Sequence, residues 1–166
     1  MSHDKAVFRQ IQDYNDIINT LSVNKDLPDL RNDWSITPDF GKIVMHYILK
    51  NKPINIVEFG SGSNTILTGY TLKKIGRGKI TSYDHIKEFY QQSADNVAYH
   101  NLEKYCNIKL AELNDLEIES FSGKWYNRDV INLPKNIDLL IVDGPPGHIQ
   151  HLSRYPALPI CYNFMA

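Results

Sequence analysis

A short apolar run, a turn with two glycines, a helical pattern and a second apolar run follow one another in INIVEFGSGSNTILTGYTLKKIGRGKITSYDH, residues 54–85. Strand, turn, helix and strand in that order imply a right-handed crossover between two parallel neighbours. Ile54–Phe59 and Lys79–Tyr83 read as the strands, and Asn64–Ile75 as the helix, closed by Gly76. The alternation continues. His85 to about Tyr105 carries Ile86, Phe89, Tyr90, Val97 and Ala98 on one side of a helix, and Asn107–Leu113 follows as a strand. Ile137–Val142 is a fourth strand, apolar on both faces after Asp138, as a strand buried inside a parallel sheet must be. The fold class is therefore α/β, a doubly wound, mostly parallel sheet with helices on both faces and strand order 3-2-1-4.

Two helices precede this core. Val7, Phe8, Ile11, Tyr14, Ile18 and Leu21 recur at helical spacing over residues 4–21. Thr37-Pro38-Asp39 opens a second helix, whose buried stripe is expected to be Phe40, Ile43, Val44, Tyr47 and Ile48. The region 114–136 is too long for a plain connection. It reads either as an irregular helix or as a hairpin turning at Ser122-Gly123. With 166 residues the chain is expected to form one domain, a helical extension over 1–50 and a core over 54–160.

Composition narrows the partners. The 18 Lys+Arg against 19 Asp+Glu leave a net charge of −1, so no electrostatic footprint for a nucleic-acid backbone or an anionic membrane is visible. The apolar runs are too short to cross a bilayer and the N-terminus has no secretory pattern. Cys106 and Cys161 lack metal-ligand spacing and read as thiols of a reducing compartment. A soluble, cytoplasmic protein with no nucleic-acid or membrane partner is expected.

In an open α/β sheet the ligand lies beyond the carboxyl ends of the strands, where strand order reverses. Glu58, Gly60, Ser61, Gly62, Asn64 and Thr65 end the first strand, Asp84 the second, Glu112 and Leu113 the third and Asp143 the fourth. A dinucleotide turn needs a third glycine where this chain has Thr65. Glu58 would also repel a pyrophosphate, whereas beside an ammonium it would attract. Charge sign thus favours a cationic, methionine-like ligand over NAD. Asp84 follows Gly60 at a distance along the chain that suits an acid accepting hydrogen bonds from ribose hydroxyls, with either ligand.

EFGSGSNT, the acid of SYDH and LLIVDGPPG, in that order at strand ends, resemble the class I S-adenosylmethionine-dependent methyltransferases, a Rossmann-like family, over residues 34–155. The resemblance implies that Glu58, Gly60 and Gly62, with Ser61, Asn64 and Thr65 in the same turn, hold the methionine half of the cofactor. By the same resemblance Asp84 holds the ribose, and Glu112 and Leu113 lie by the adenine. Asp143 becomes the candidate catalytic residue, as base, metal ligand or positioning group for a small-molecule acceptor, more readily a hydroxyl. The family's sheet has seven strands, and its last three are expected to be missing here. The fourth strand would then be an open edge, to be covered by the C-terminal tail, the N-terminal helix or a second copy of the chain in a homodimer. A non-catalytic cofactor-binding remnant and an NAD-dependent oxidoreductase are the competing readings. His148 and His151 alone make no metal site, so no metal is expected. Trp34 reads as a cover for the cofactor or an anchor in the core, Trp125-Tyr126 as a core plug, and His85 as a first-turn helical residue in preference to one packed near the nucleoside.

Overall fold

Four parallel strands run side by side in the computed structural model, which describes residues 3–28, 35–118 and 121–166. In chain order the elements are α1 (His3–Leu21), α2 (Pro38–Asn51), β1 (Asn55–Phe59), α3 (Ser63–Ile75), β2 (Lys79–Asp84), α4 (Lys87–Tyr99), β3 (Cys106–Leu110), β4 (Leu113–Ile118), β5 (Phe121–Tyr126), β6 (Leu139–Val142) and α5 (Ala157–Cys161). The sheet order is β3-β2-β1-β6, and β4 and β5 form a separate antiparallel pair. The 3-2-1-4 order inferred from the sequence is thus present, with β6 in fourth place.

Period-two alternation divides the sheet into two faces. Ile56, Ile80 and Ile141 join a core with Ile66, Leu67 and Leu72 of α3, Met45 and Ile48 of α2 and Val97 of α4. Val57, Phe59 and Tyr83 turn the other way, into a second core with Trp125, Tyr126, Ala157 and Cys161. Helices therefore cover one face, while the hairpin and the short α5 cover the other, so the expectation of helices on both faces is met on the second only by the short α5. Of the two readings of 114–136 the hairpin is the one observed, but Ser122 and Gly123 pair with Glu117 and Leu116 inside the ladder, so the hairpin does not turn at Ser122-Gly123.

Three sequence expectations about the helices are corrected. On α2 the buried residues are Gly41, Val44, Met45 and Ile48, whereas Phe40, Ile43 and Tyr47 are exposed. Gly41 explains the rotation: a Cβ there would stand 3.0 Å from Leu67 and 3.1 Å from Ile36, so the bare backbone lets α2 turn this face inward. On α1, Ile17 and Leu21 are buried but Val7, Phe8 and Ile11 are not. The helix expected from His85 to Tyr105 spans only Lys87–Tyr99. The Asp84 carboxylate accepts from the Ile86 amide at its start, and Asn101 adopts φ 54° just past its end.

The C-terminal segment meets the foot of the outer edge. The Ile137 amide donates to the Phe164 carbonyl at 2.5 Å, and the Ala166 amide to the Ile137 carbonyl at 3.0 Å. Among the described residues β6 itself pairs only with β1. No helix among them is long and apolar enough to cross a membrane.

Candidate active site

Strand order reverses between β1 and β6, and the loops leaving these two strands come together there. Gly60, at φ 95°, places its Cα face against the β6 loop so closely that a Cβ would lie 2.8 Å from the Gly144 nitrogen. Both the Asp143 and Gly144 amides donate to the Phe59 carbonyl, at 2.9 and 2.7 Å, which locks the two loops. The Gly144–Pro145 peptide is cis.

A cleft of about 290 Å³ opens above this contact, walled by Gly60–Ser63, by Asp84, His85 and Ile86, by Ser93 and Asn96 of α4, and by Tyr126, Asp143 and Gly144. Pro28 and Ser35, which flank the segment leading into α2, complete the rim. Beside it lies a second depression of about 580 Å³ that shares Ser35, Asp143 and Pro146 and adds Phe40, His148 and Arg154. Asp143 stands where the two meet.

Glu58 is not on the cleft wall. Register sets it beside Ser82 on the α3 side of the sheet, fully buried. Its Oε1 accepts from Asn64 Nδ2 at 2.6 Å and its Oε2 from Thr65 Oγ1 at 2.5 Å and from Ser82 Oγ. Thr65 Oγ1 in turn accepts from the Gly62 amide at 3.1 Å. Glu58, Asn64 and Thr65 thus form a strut under the turn, and Glu58, expected from the sequence to meet a ligand ammonium, does not line the cleft. Burial pushes the Glu58 carboxyl up to about 7 against the pull of its three donors, and the Asp143 charge adds to the rise.

Asp84 faces the cleft. Its Oδ2 accepts from the Ser61 amide at 3.1 Å and from Ser61 Oγ at 2.7 Å, and Ser61 Oγ also meets Ser93 Oγ at 2.8 Å. These bonds tie the glycine turn to the end of β2 and to α4. Asp143 approaches Arg154, whose Nη2 is 3.5 Å from Oδ1 and donates to the Asp143 carbonyl at 2.5 Å. Glu112 is exposed and Leu113 is the first residue of β4, paired with Tyr126, and neither lines the cleft. The reason is that β3 ends at Leu110, and Ala111 closes on the Asp84 carbonyl. Trp34 lies outside the described residues.

Sequence reasoning gave Tyr126 no place at the cleft and His85 only a secondary one. His85 precedes α4, with its side chain largely buried and its Nδ1 without a hydrogen-bond partner, and burial lowers its pKa against the pull of Asp84. Tyr126 reads from the sequence as a core plug, yet it lines the cleft, with its hydroxyl buried against Gly144. Neither position carries a motif; only the hairpin's placement puts Tyr126 there. Among the described residues no group of three or more His, Cys, Asp or Glu is placed to hold a metal ion.

The cleft can hold a cation that also carries hydroxyls. Two carboxylates line it, and no Lys or Arg does so among the described residues. At Gly62 an added Cβ would meet nothing within 4 Å, so space stands open over the turn.

No family profile and no curated protein matches the sequence. Solved structures do resemble the fold. A protein of Pyrococcus horikoshii provisionally described as an RNA methyltransferase superposes with TM-score 0.59 at 12% identity, over 93% of this chain and 70% of its own. The N-terminal domain of human METTL16 in complex with SAH gives 0.51 at 12% identity, over 82% and 52%. An O-methyltransferase of Bacillus cereus in complex with SAH gives 0.42 at 16% identity, over 60% and 43%. The chain therefore spans between 43% and 70% of the length of these structures. With its 3-2-1-4 parallel order and its cleft at the switch point, the chain has the Rossmann-like fold of the class I S-adenosylmethionine-dependent methyltransferases.

Proposed function

We propose that the chain binds S-adenosylmethionine in this cleft and transfers its methyl group to a small-molecule acceptor through a hydroxyl. The observation that carries the proposal is the sign of the cleft's charge: Asp84 and Asp143 line it, with no Lys or Arg among its described residues. A dinucleotide's pyrophosphate would face two carboxylates, of which only Asp143 has a counter-charge, Arg154 in the neighbouring depression, whereas a sulfonium and an ammonium are attracted. The bound cofactor would supply an electrophilic methyl group.

The chain's own contribution is placement. Asp84 offers carboxylate oxygens to ribose hydroxyls, exchanging its bonds from Ser61 for bonds from the ligand. Gly60, Ser61 and Gly62 present backbone, and the strut of Glu58, Asn64 and Thr65 fixes its course. Ile86 takes the apolar part of the wall that Glu112 and Leu113 do not reach. The acceptor enters from the second depression. Asp143 at the junction, paired with Arg154, suits a carboxylate that orients an acceptor O–H; as the O–CH3 bond forms and the S–CH3 bond breaks, the hydroxyl proton leaves to water in the open second depression. The net charge of −1 favours a small acceptor over RNA.

Calorimetry tests the proposal directly. S-adenosylhomocysteine should bind and NADH should not, and the reverse pattern would end the cofactor assignment. The Asp84→Asn variant should keep its fold by circular dichroism while losing roughly 10–100-fold in S-adenosylhomocysteine affinity, the cost of about one charge-assisted hydrogen bond or slightly more. Binding without turnover on any hydroxylated acceptor would leave a cofactor-binding module in place of an enzyme.

A further inference from the structure

We infer that Tyr126, delivered to the cleft by the β4–β5 hairpin, is a ligand-binding residue that donates a hydrogen bond to an uncharged oxygen or nitrogen of the bound cofactor. This rests on the cofactor reading above. The residue is 1% exposed and its hydroxyl has no hydrogen-bond partner in the protein. Buried hydroxyls are almost always satisfied, so one left open beside a cleft calls for an occupant.

The position of the hydroxyl is fixed from several sides. Phe59 packs at 5.2 Å between ring centroids and Trp125 at 5.0 Å, and the His85 ring stands edge-on at 5.8 Å. Tyr126 pairs with Leu113 through the hairpin ladder, so its backbone is held as well. Gly144 makes the space, because a Cβ there would run into the Tyr126 hydroxyl and would lie 3.1 Å from the Gly60 Cα. The hydroxyl therefore sits where the two strand-end loops meet, which is the floor of the cleft. It cannot swing away to find a partner within the core.

The chemistry of the occupant follows from the surroundings. Burial, and the charges of Asp84, Glu58 and Asp143, push the phenol's pKa upward, so it remains an O–H donor throughout the neutral range. A donor needs an acceptor. The neighbouring carboxylates discourage an anionic one, which leaves a neutral oxygen such as a ribose hydroxyl, or a ring nitrogen. His85 Nδ1, the second buried polar atom without a partner on this wall, lies across the ring contact and marks the same region as built for a polar ligand. A phenylalanine would fill the aromatic cluster equally well, so packing alone gives no reason for the hydroxyl.

The Tyr126→Phe variant tests this through S-adenosylhomocysteine calorimetry and the melting temperature of the ligand-free protein. Where the wild type binds S-adenosylhomocysteine, affinity decides: a loss of about tenfold is expected, and equal affinity in the two proteins overturns the inference. Where the wild type does not bind it, the cofactor assignment has failed, and melting decides. A rise of about 2–4 °C would then show a hydroxyl kept at a cost to stability and support a contact with another ligand. An unchanged or lower value would overturn the inference too.

Discussion

Replacing Gly60 by alanine should destabilise the protein by about 2–6 kcal/mol and abolish ligand binding in the cleft. Two effects add. At φ 95° a side chain is strained, which costs on the order of 1–3 kcal/mol. The new Cβ would also sit 2.8 Å from the Gly144 nitrogen and 3.1 Å from the Asp143 carbonyl carbon. Both are backbone atoms, held by bonds to the Phe59 carbonyl, so they have no flexible end that can give way. Overpacking of this kind costs roughly another 1–3 kcal/mol. Relief would come only by prising the β1 and β6 loops apart, and that would carry Asp143 away from the glycine turn. Thermal melting should fall by at least about 4 °C, at roughly 2 °C or more per kcal/mol for a chain of this size. Gly147→Ala is the control: nothing lies within 4 Å of its Cβ position, and stability should change by less than about 0.5 kcal/mol. A Gly60→Ala protein that melts with the wild type would show that the two loops are not locked together.

The glycine turn and the acid ending β2 were legible in the sequence because both are local. A carboxylate at a strand end is fixed by the period of the strand, and a glycine between strand and helix by the turn it must make. Glu58 was harder. Its residue type suggested a ligand contact, but its direction depends on the strand's two faces: Val57 and Phe59 turn towards the hairpin, so Glu58 turns towards α3, beside Ser82 and beneath Thr65. The carboxylates that the cleft does present, Asp84 and Asp143, end or follow their strands rather than standing within them. The α2 stripe shows the same limit. Phe40, Ile43 and Tyr47 have the spacing of a buried face, yet Gly41, which periodicity counts as neutral, decides the rotation by its small size. Tyr126 lay beyond any local rule. It becomes a cleft residue only because the hairpin takes the place of a crossover helix and brings the end of β5 under the switch point.

The pH dependence of stability should be dominated by Glu58. Its carboxyl ionises near 4.5 in an unfolded chain and near 7 in the folded one. Between these values the folded state holds a proton that the unfolded state has released, so stability declines as pH rises across that window. This contribution is fully present below about 4.5 and is lost above about 7. The span corresponds to about 3 kcal/mol. Glu58→Gln keeps the shape and cannot ionise, so urea unfolding should show the wild type losing about 3 kcal/mol relative to the variant between pH 4.5 and 8. Glu58→Ala should behave differently, destabilising at every pH, because it opens a cavity and strands the Asn64, Thr65 and Ser82 donors. A cation in the cleft favours the ionised carboxyl, so S-adenosylmethionine should bind more tightly at pH 8 than at pH 6 in the wild type, and the part of that gain due to Glu58 should vanish in Glu58→Gln. If wild type and Glu58→Gln track each other across the whole pH range, the carboxyl under the turn is already charged at low pH, and its action on the ligand would be that of a permanent anion.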